Sequence, residues 1–306
     1  MLLLLTATIW GVAFVAQSAG MDYVEPFTFN GIRSLLGAAV LLPVIAIMDR
    51  KRKKDAADGM DTNKYSWKNK KLVAGGIICG IVLCAASSLQ QIGITTTEAG
   101  KAGFITAFYI VLVPVLALFL KKKSPVWVYI SVFLAIVGLF IMCMDFSVSF
   151  NGTLPVLKGD FSMKSGDWLL VFCALLFSVH ILVIDYFSPR VDGVKMSCIQ
   201  FFTCGIICTL IMMFIECPRI ENIMAAGIPI LYAGVMSCGV AYTLQIVGQV
   251  GINPTVASLI MSLESVISVV AGWLILGEIL SQKEIIGCVV MFAAILMAQI
   301  PAKAKK

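Results

Sequence analysis

The chain has 306 residues, 60% of them hydrophobic and only 13% charged, against the roughly 25% charged residues of ordinary soluble domains. Ten successive apolar stretches, each near the roughly 20 residues needed to cross a hydrocarbon core about 30 Å thick, fill nearly all of it. This excludes a soluble domain, and no Walker motif is present for an ATP-driven pump.

The net charge of +6 does not mark a nucleic-acid surface, because of where the charges fall. Nine Lys and Arg lie in "DRKRKKDAADGMDTNKYSWKNKK", three in "KKKSP", two around "PRVDGVK" and three in "KAKK", all on one side of the predicted membrane. Only four, Lys158, Lys164, Arg219 and Lys283, fall on the other. By the positive-inside rule both termini face the cytoplasm, and the expected location is the cytoplasmic (inner) membrane of a prokaryote, crossed many times.

In chain order, the first span (2–19) lacks a basic head and a small-residue cleavage site, so it is expected to be a retained helix rather than a signal peptide. Trp10 and Gln17 share one side of it. Trp10 either packs in the core or stacks on an apolar or cationic part of a substrate. The second span (28–48) carries Arg33, whose guanidinium stays charged when buried. It either meets a carboxylate or an anionic ligand, or snorkels to the outer interface. In the third span (72–93) Gly76 and Gly80 allow close helix approach, and Gln90 and Gln91 follow near its end.

Glu98 and Lys101 stand at the start of the fourth span (99–120), with Glu98 expected to cap the helix. The fifth span covers 126–144, and the polar stretch "NGTLPVLKGDFSMKSGD" after it reads as a short outer loop. The sixth span (167–187) holds His180, the only histidine, either a hydrogen-bonder between helices or a proton relay. The seventh (194–216) has Cys204 and Cys208 one turn apart without a His or carboxylate beside them, so no metal site is expected there. The ten cysteines sit in or at the ends of apolar runs and read as small apolar side chains. Tyr242, Gln245 and Gln249 recur at helical spacing in the eighth span (226–248) and need protein or water around them.

The ninth span (255–276) contains Glu264 in the midst of "SLIMSLESVISVVAGWLILGE". A charge at the bilayer centre costs between about 2.5 and more than 10 kcal/mol, so an intramembrane carboxylate is a functional candidate by default. Ser258, Ser262, Ser265 and Ser268 give it a polar helix face. An ion pair with Arg33 is geometrically conceivable. Glu278 then anchors a helix end before the tenth span (283–300).

The two halves are related. "LFLKKKSPVWVYISVFLAIVGLFIM" lies over "LILGEILSQKEIIGCVVMFAAILM" at an offset of 156, and an offset of 167 pairs Trp10 with Phe177, Phe14 with Ile181, Ala13 with His180 and Arg33 with Gln200. Each half has five spans, and an odd number forces the second repeat to enter from the opposite side. The expected fold is an all-α integral membrane protein of ten transmembrane helices in two inverted five-helix repeats, 1–145 and 167–301, with a connecting loop at 146–166 and a basic tail at 302–306. In such folds the substrate site lies between the repeats.

"WGVAF", "FNGIRSLLGA", "EAGKAGFITAFYIVLVPVLALFL" and above all "NPTVASLIMSLESVISVVAGWLILGEILSQKEIIGCVVMFAAILM" resemble the EamA family of the drug/metabolite transporter superfamily over nearly the whole chain. Ser265 replaces the proline usual after Leu-Glu, and "FLKKK" lacks the Gly-Glu of the second repeat's "LGE". The resemblance implies two inverted five-helix bundles and movement of small metabolites such as amino acids.

Together these readings predict a secondary transporter, most simply an exporter, that moves a small polar or amphipathic solute by alternating access. Glu264, Arg33, His180, Trp10, Gln17, Tyr242, Gln245 and Gln91 are its candidate substrate or coupling residues. The partners are a small molecule, the bilayer and, in one reading, protons; no nucleic acid and no cofactor is implied. The rivals are an uncoupled facilitator and a membrane assembly partner without transport. An enzyme is not expected, since no helix core carries paired carboxylates or a nucleophile with its base.

Overall fold

The computed structural model describes residues 1–55, 66–121, 125–143, 145–151, 154–160, 165–277 and 282–298. Glu278, the 302–306 tail and the middle of the basic segment after the second span lie outside the described residues.

Three uninterrupted helices open the chain: α1 (Leu2–Gly20), α2 (Pro26–Asp55) and α3 (Lys70–Ile94). Asn69 caps α3, its side chain accepting from the Lys71 amide at 3.0 Å. The fourth span is broken into α4 (Ala99–Thr106) and α5 (Tyr109–Phe119). Glu98 stands at the N-cap of α4 without a side-chain capping bond, so its expected capping role is not realised by hydrogen bonding. α6 (Val126–Cys143) completes the first half.

The stretch read as a plain loop carries two antiparallel strands, β1 (Asp145–Asn151) and β2 (Leu154–Asp160), with Val148 opposite Leu157. The reason is visible in "DFSVSFN", where Phe146, Val148 and Phe150 alternate with serines at the period of a strand.

The second half runs through α7 (Ser165–Phe187), α8 (Gly193–Ile215), the short α9 (Ile220–Ala225) and α10 (Gly227–Leu231). A π-helical stretch, Tyr232–Ala241, then leads into α11 (Tyr242–Gly248). The ninth span is broken into α12 (Pro254–Met261) and α13 (Leu263–Ala271), followed by a π turn at Gly272–Leu276, and α14 (Gln282–Ala298) closes the chain.

Among the described residues, eight helical runs are long and apolar enough to cross a membrane, from Leu2–Gly20 to Pro254–Leu276. The fifth and tenth expected spans are the apolar helices α6 and α14, which pack on each other. Large side chains such as Phe214 and Phe119, 87% and 80% exposed, cover the outside. An apolar exterior of this kind fits lipid, not water.

The interior is closely packed and partly polar. α2 lies against α8, α3 against α7 and α8, and α1 against α13. Gly76 and Gly80 make the α3–α8 approach possible, since a Cβ on either would come within 2.6 Å of Ile199 or Thr203.

The ninth span breaks at Ser262 for a local reason. Ser258, Ser262, Ser265 and Ser268 each donate to the carbonyl three residues earlier, at 2.9, 2.8, 2.7 and 2.7 Å. Such side-chain bonds compete with the backbone ladder and bend helices. Ser265 thus takes part in bending the helix.

Candidate functional site

A cavity of about 30 Å³ opens where the two broken spans meet α1, α2, α7 and α11. It has room for a water molecule or two. Seven of the eight residues singled out from sequence line it: Trp10 and Gln17 from α1, Arg33 from α2, His180 from α7, Tyr242 and Gln245 from α11, and Glu264 from α13. Gln91 is elsewhere. It is fully buried, its Nε2 donating to the Gln17 carbonyl at 3.2 Å, so it supports α1 from behind.

The two charged groups are held separately. Arg33 is buried rather than snorkelled, donating from Nη1 to Gln17 Oε1 at 2.7 Å and lying 5.5 Å from the Phe29 ring centre. Glu264 accepts from the Tyr109 hydroxyl at 2.9 Å through Oε1. No ion pair joins Arg33 to Glu264 among the described residues, so the conceivable pair is not formed in this conformation.

One wall of the cavity is aromatic. The rings of Trp10 and Tyr242 lie 4.5 Å apart and tilted by 60°, and His180 approaches Tyr242 edge-on at 6.0 Å. His180 Nε2 pairs with Gln200 Oε1 at 3.1 Å. The Trp10 Nε1–H and Gln245 Oε1 are buried without a hydrogen-bond partner. Orphaned polar atoms are costly in a dry interior, and both belong to cavity-lining residues.

Tyr109 and Thr106 flank the break in the fourth span, and Ser237 sits on the π-helical stretch; the sequence reading had singled out none of them. Tyr109 had a legible signal, a phenol within "ITAFYIVLVPV" that must find a partner. Gln90 also lines the cavity, and its Nε2 reaches Thr106 Oγ1 at 3.4 Å. Three pairs matched by the internal repeat, Trp10 with Phe177, Ala13 with His180 and Phe14 with Ile181, face this one space.

Ion pairs tie helices together near both ends of the bundle. At one end Lys101 Nζ is 2.8 Å from Asp167 Oδ2, and Thr97 donates to Asp167 Oδ1 at 2.9 Å. Lys101 is thus tied to a wholly buried carboxylate. At the other end Arg52 pairs with Asp192, and Lys195 with Asp49 at 2.8 Å, joining α2 to the start of α8.

The model of the EamA-like transporter family matches residues 1–144 and 164–299. The chain belongs to the EamA-like transporter family. It is 26% identical over 302 residues to a protein of Archaeoglobus fulgidus named "Uncharacterized transporter", covering 97% of this chain and 84% of that one. It is 23% identical over 297 residues to "Uncharacterized transporter YoaV" of Bacillus subtilis, covering 94% and 92%. A protein solved by crystallography shares the fold with a TM-score of 0.70 at 14% identity, over 97% of this chain and 95% of that one. As an EamA-like transporter the protein is a multi-pass membrane protein that moves a small solute, and the cavity is the candidate path.

Proposed function

We propose that this protein is a secondary transporter of the cytoplasmic membrane, with both termini inside, that exports a small zwitterionic or amphipathic metabolite of the amino-acid type. The observation that carries this reading is the placing of Arg33 and Glu264 on one buried cavity without an ion pair between them. A solute with both an anionic and a cationic group complements the two, while Trp10 and Tyr242 offer its side chain an aromatic wall. Gln245 Oε1 and Trp10 Nε1–H provide a further acceptor and donor.

In this reading the ten spans form two inverted five-helix repeats, residues 1–145 and 167–301. The three repeat-matched pairs facing one cavity support that arrangement. So do the breaks in the fourth and ninth spans, which occupy equivalent places in the two halves. A cavity of about 30 Å³ is too small for an amino acid, so binding requires its lining to part. Transport alternates between opening the Lys101–Asp167 end and opening the Arg52–Asp192 and Lys195–Asp49 end, with the broken spans as hinges.

Glu264 serves as the coupling group in this scheme, exchanging a proton as the cavity changes sides. The Tyr109 hydrogen bond favours one other reading, an uncoupled facilitator in which Glu264 only ties α13 to α5. Proteoliposomes loaded with mixed radiolabelled amino acids separate the two. Coupled transport predicts efflux that responds to an imposed pH gradient and a Glu264→Gln variant that loses this response. Comparable efflux with unchanged pH dependence in the variant counts against the coupling role.

A further inference from the structure

The contact between α3 and α8 holds a group of side chains that the transport path does not use. Cys84 of α3 and Cys204 and Cys208 of α8 bring their three sulfurs within 4.8 Å of one another, all buried. Cys84 Sγ and Cys208 Sγ are 3.5 Å apart. The sequence displayed only Cys204 and Cys208, one turn apart; the third thiol comes from a residue more than a hundred positions away. Hydroxyls surround the group as well. Ser34 Oγ of α2 donates to Cys204 Sγ at 3.5 Å, while Ser87 and Ser88 Oγ lie 3.9 and 3.8 Å from Cys204 and Cys208.

We propose that Cys84, Cys204 and Cys208 form a three-coordinate binding site for one copper(I) ion. The spacing is close to what the ion needs: a metal–sulfur bond of about 2.3 Å sets three trigonal sulfurs about 4.0 Å apart, against one pair at 3.5 Å and all three within 4.8 Å here. The ligand set selects the ion. Three thiols with no imidazole or carboxylate among the described residues suit a soft monovalent metal. Structural zinc takes four ligands, and the remaining polar neighbours here are serine hydroxyls, which are not among its usual ligands. Those hydroxyls are placed to hydrogen-bond sulfurs carrying extra negative charge. Each thiol that ligates the ion gives up its proton to the aqueous phase, so retention weakens as pH falls. A bound ion ties α3 of the first half to α8 of the second.

The test is anaerobic loading of the purified, detergent-solubilised full chain with copper(I) under ascorbate, followed by competition with bathocuproine disulfonate and X-ray absorption at the copper edge. The site predicts close to one retained copper per chain and a first shell of three sulfurs with no nitrogen or oxygen. Cys84→Ser, Cys204→Ser and Cys208→Ser should each weaken retention at least about tenfold, while Cys79→Ser, another buried thiol, leaves it unchanged. Size-exclusion profiles confirm that each one-atom replacement still folds. Retention by the wild type no greater than by the triple C84S/C204S/C208S variant, or equal loss in Cys79→Ser, overturns the proposal. Should the variants not fold, a nitrogen- or oxygen-dominated copper shell in the wild type overturns it by itself.

Discussion

Removing the Tyr109 hydroxyl is the sharpest probe of how Glu264 is held. The two groups are 3% and 4% exposed, 155 residues apart in sequence and 2.9 Å apart in space. Their bond links the helices that follow the breaks in the fourth and ninth spans. Interhelical hydrogen bonds in membranes average about 0.6 kcal/mol and reach about 1.7, and bonds to a charged partner run about 1.5–3 kcal/mol. A double-mutant cycle of Tyr109→Phe and Glu264→Ala, followed by reversible unfolding in mixed micelles, should therefore return a coupling of about 1–2 kcal/mol. That is a factor of roughly 5–30 in the folded population. Effects that add to within about 0.3 kcal/mol, as for sites that do not touch, would refute the claim that Tyr109 positions Glu264.

Three further outcomes follow from the same geometry. Gly11→Ala sets a Cβ 2.5 Å from Ile267 Cβ and 2.8 Å from the Glu264 carbonyl oxygen, so α1 and α13 must part; thermal unfolding should show a loss of about 1–3 kcal/mol, with a lower transport rate. Arg33→Lys keeps a positive charge but not the planar fork facing Gln17, and efflux from proteoliposomes should fall at least about tenfold if the guanidinium orients a carboxylate. Asp192 has two separable roles, accepting from the Val194 and Lys195 amides at 2.9 and 3.0 Å and pairing with Arg52. Asp192→Asn keeps the cap but takes the charge from a buried partner of Arg52 and should cost about 1.5–3 kcal/mol, whereas Asp192→Ala should cost about 1 kcal/mol more, as read by chemical unfolding.

The helical spans and much of the cavity's lining were legible in the sequence because hydropathy is a local property and an ionisable residue in an apolar run stands out. Glu264, Arg33 and His180 were found on that ground alone. The internal offset of 167 also pairs Trp10 with Phe177 and Phe14 with Ile181, and both pairs line the cavity. What the sequence concealed depends on tertiary placement. Gln90 and Gln91 are adjacent and chemically identical, yet a 100° turn of the helix sends one to the cavity and the other behind α1. Tyr109 could not be matched to Glu264, nor Cys84 to Cys208, because nothing local encodes a partner in the other half of the chain. The break at Ser262 arises from a serine run that sequence analysis read only as a polar face.

The central claim, that the buried cavity is the route of the solute, is tested most directly by efflux of mixed radiolabelled amino acids from proteoliposomes carrying the wild type, Glu264→Gln or Arg33→Gln. The account predicts efflux from the wild type above that of empty liposomes, its loss in Arg33→Gln and loss of the pH-driven part in Glu264→Gln, each still monodisperse and folded. Wild-type efflux that survives in both variants would contradict the assignment of the route to this cavity.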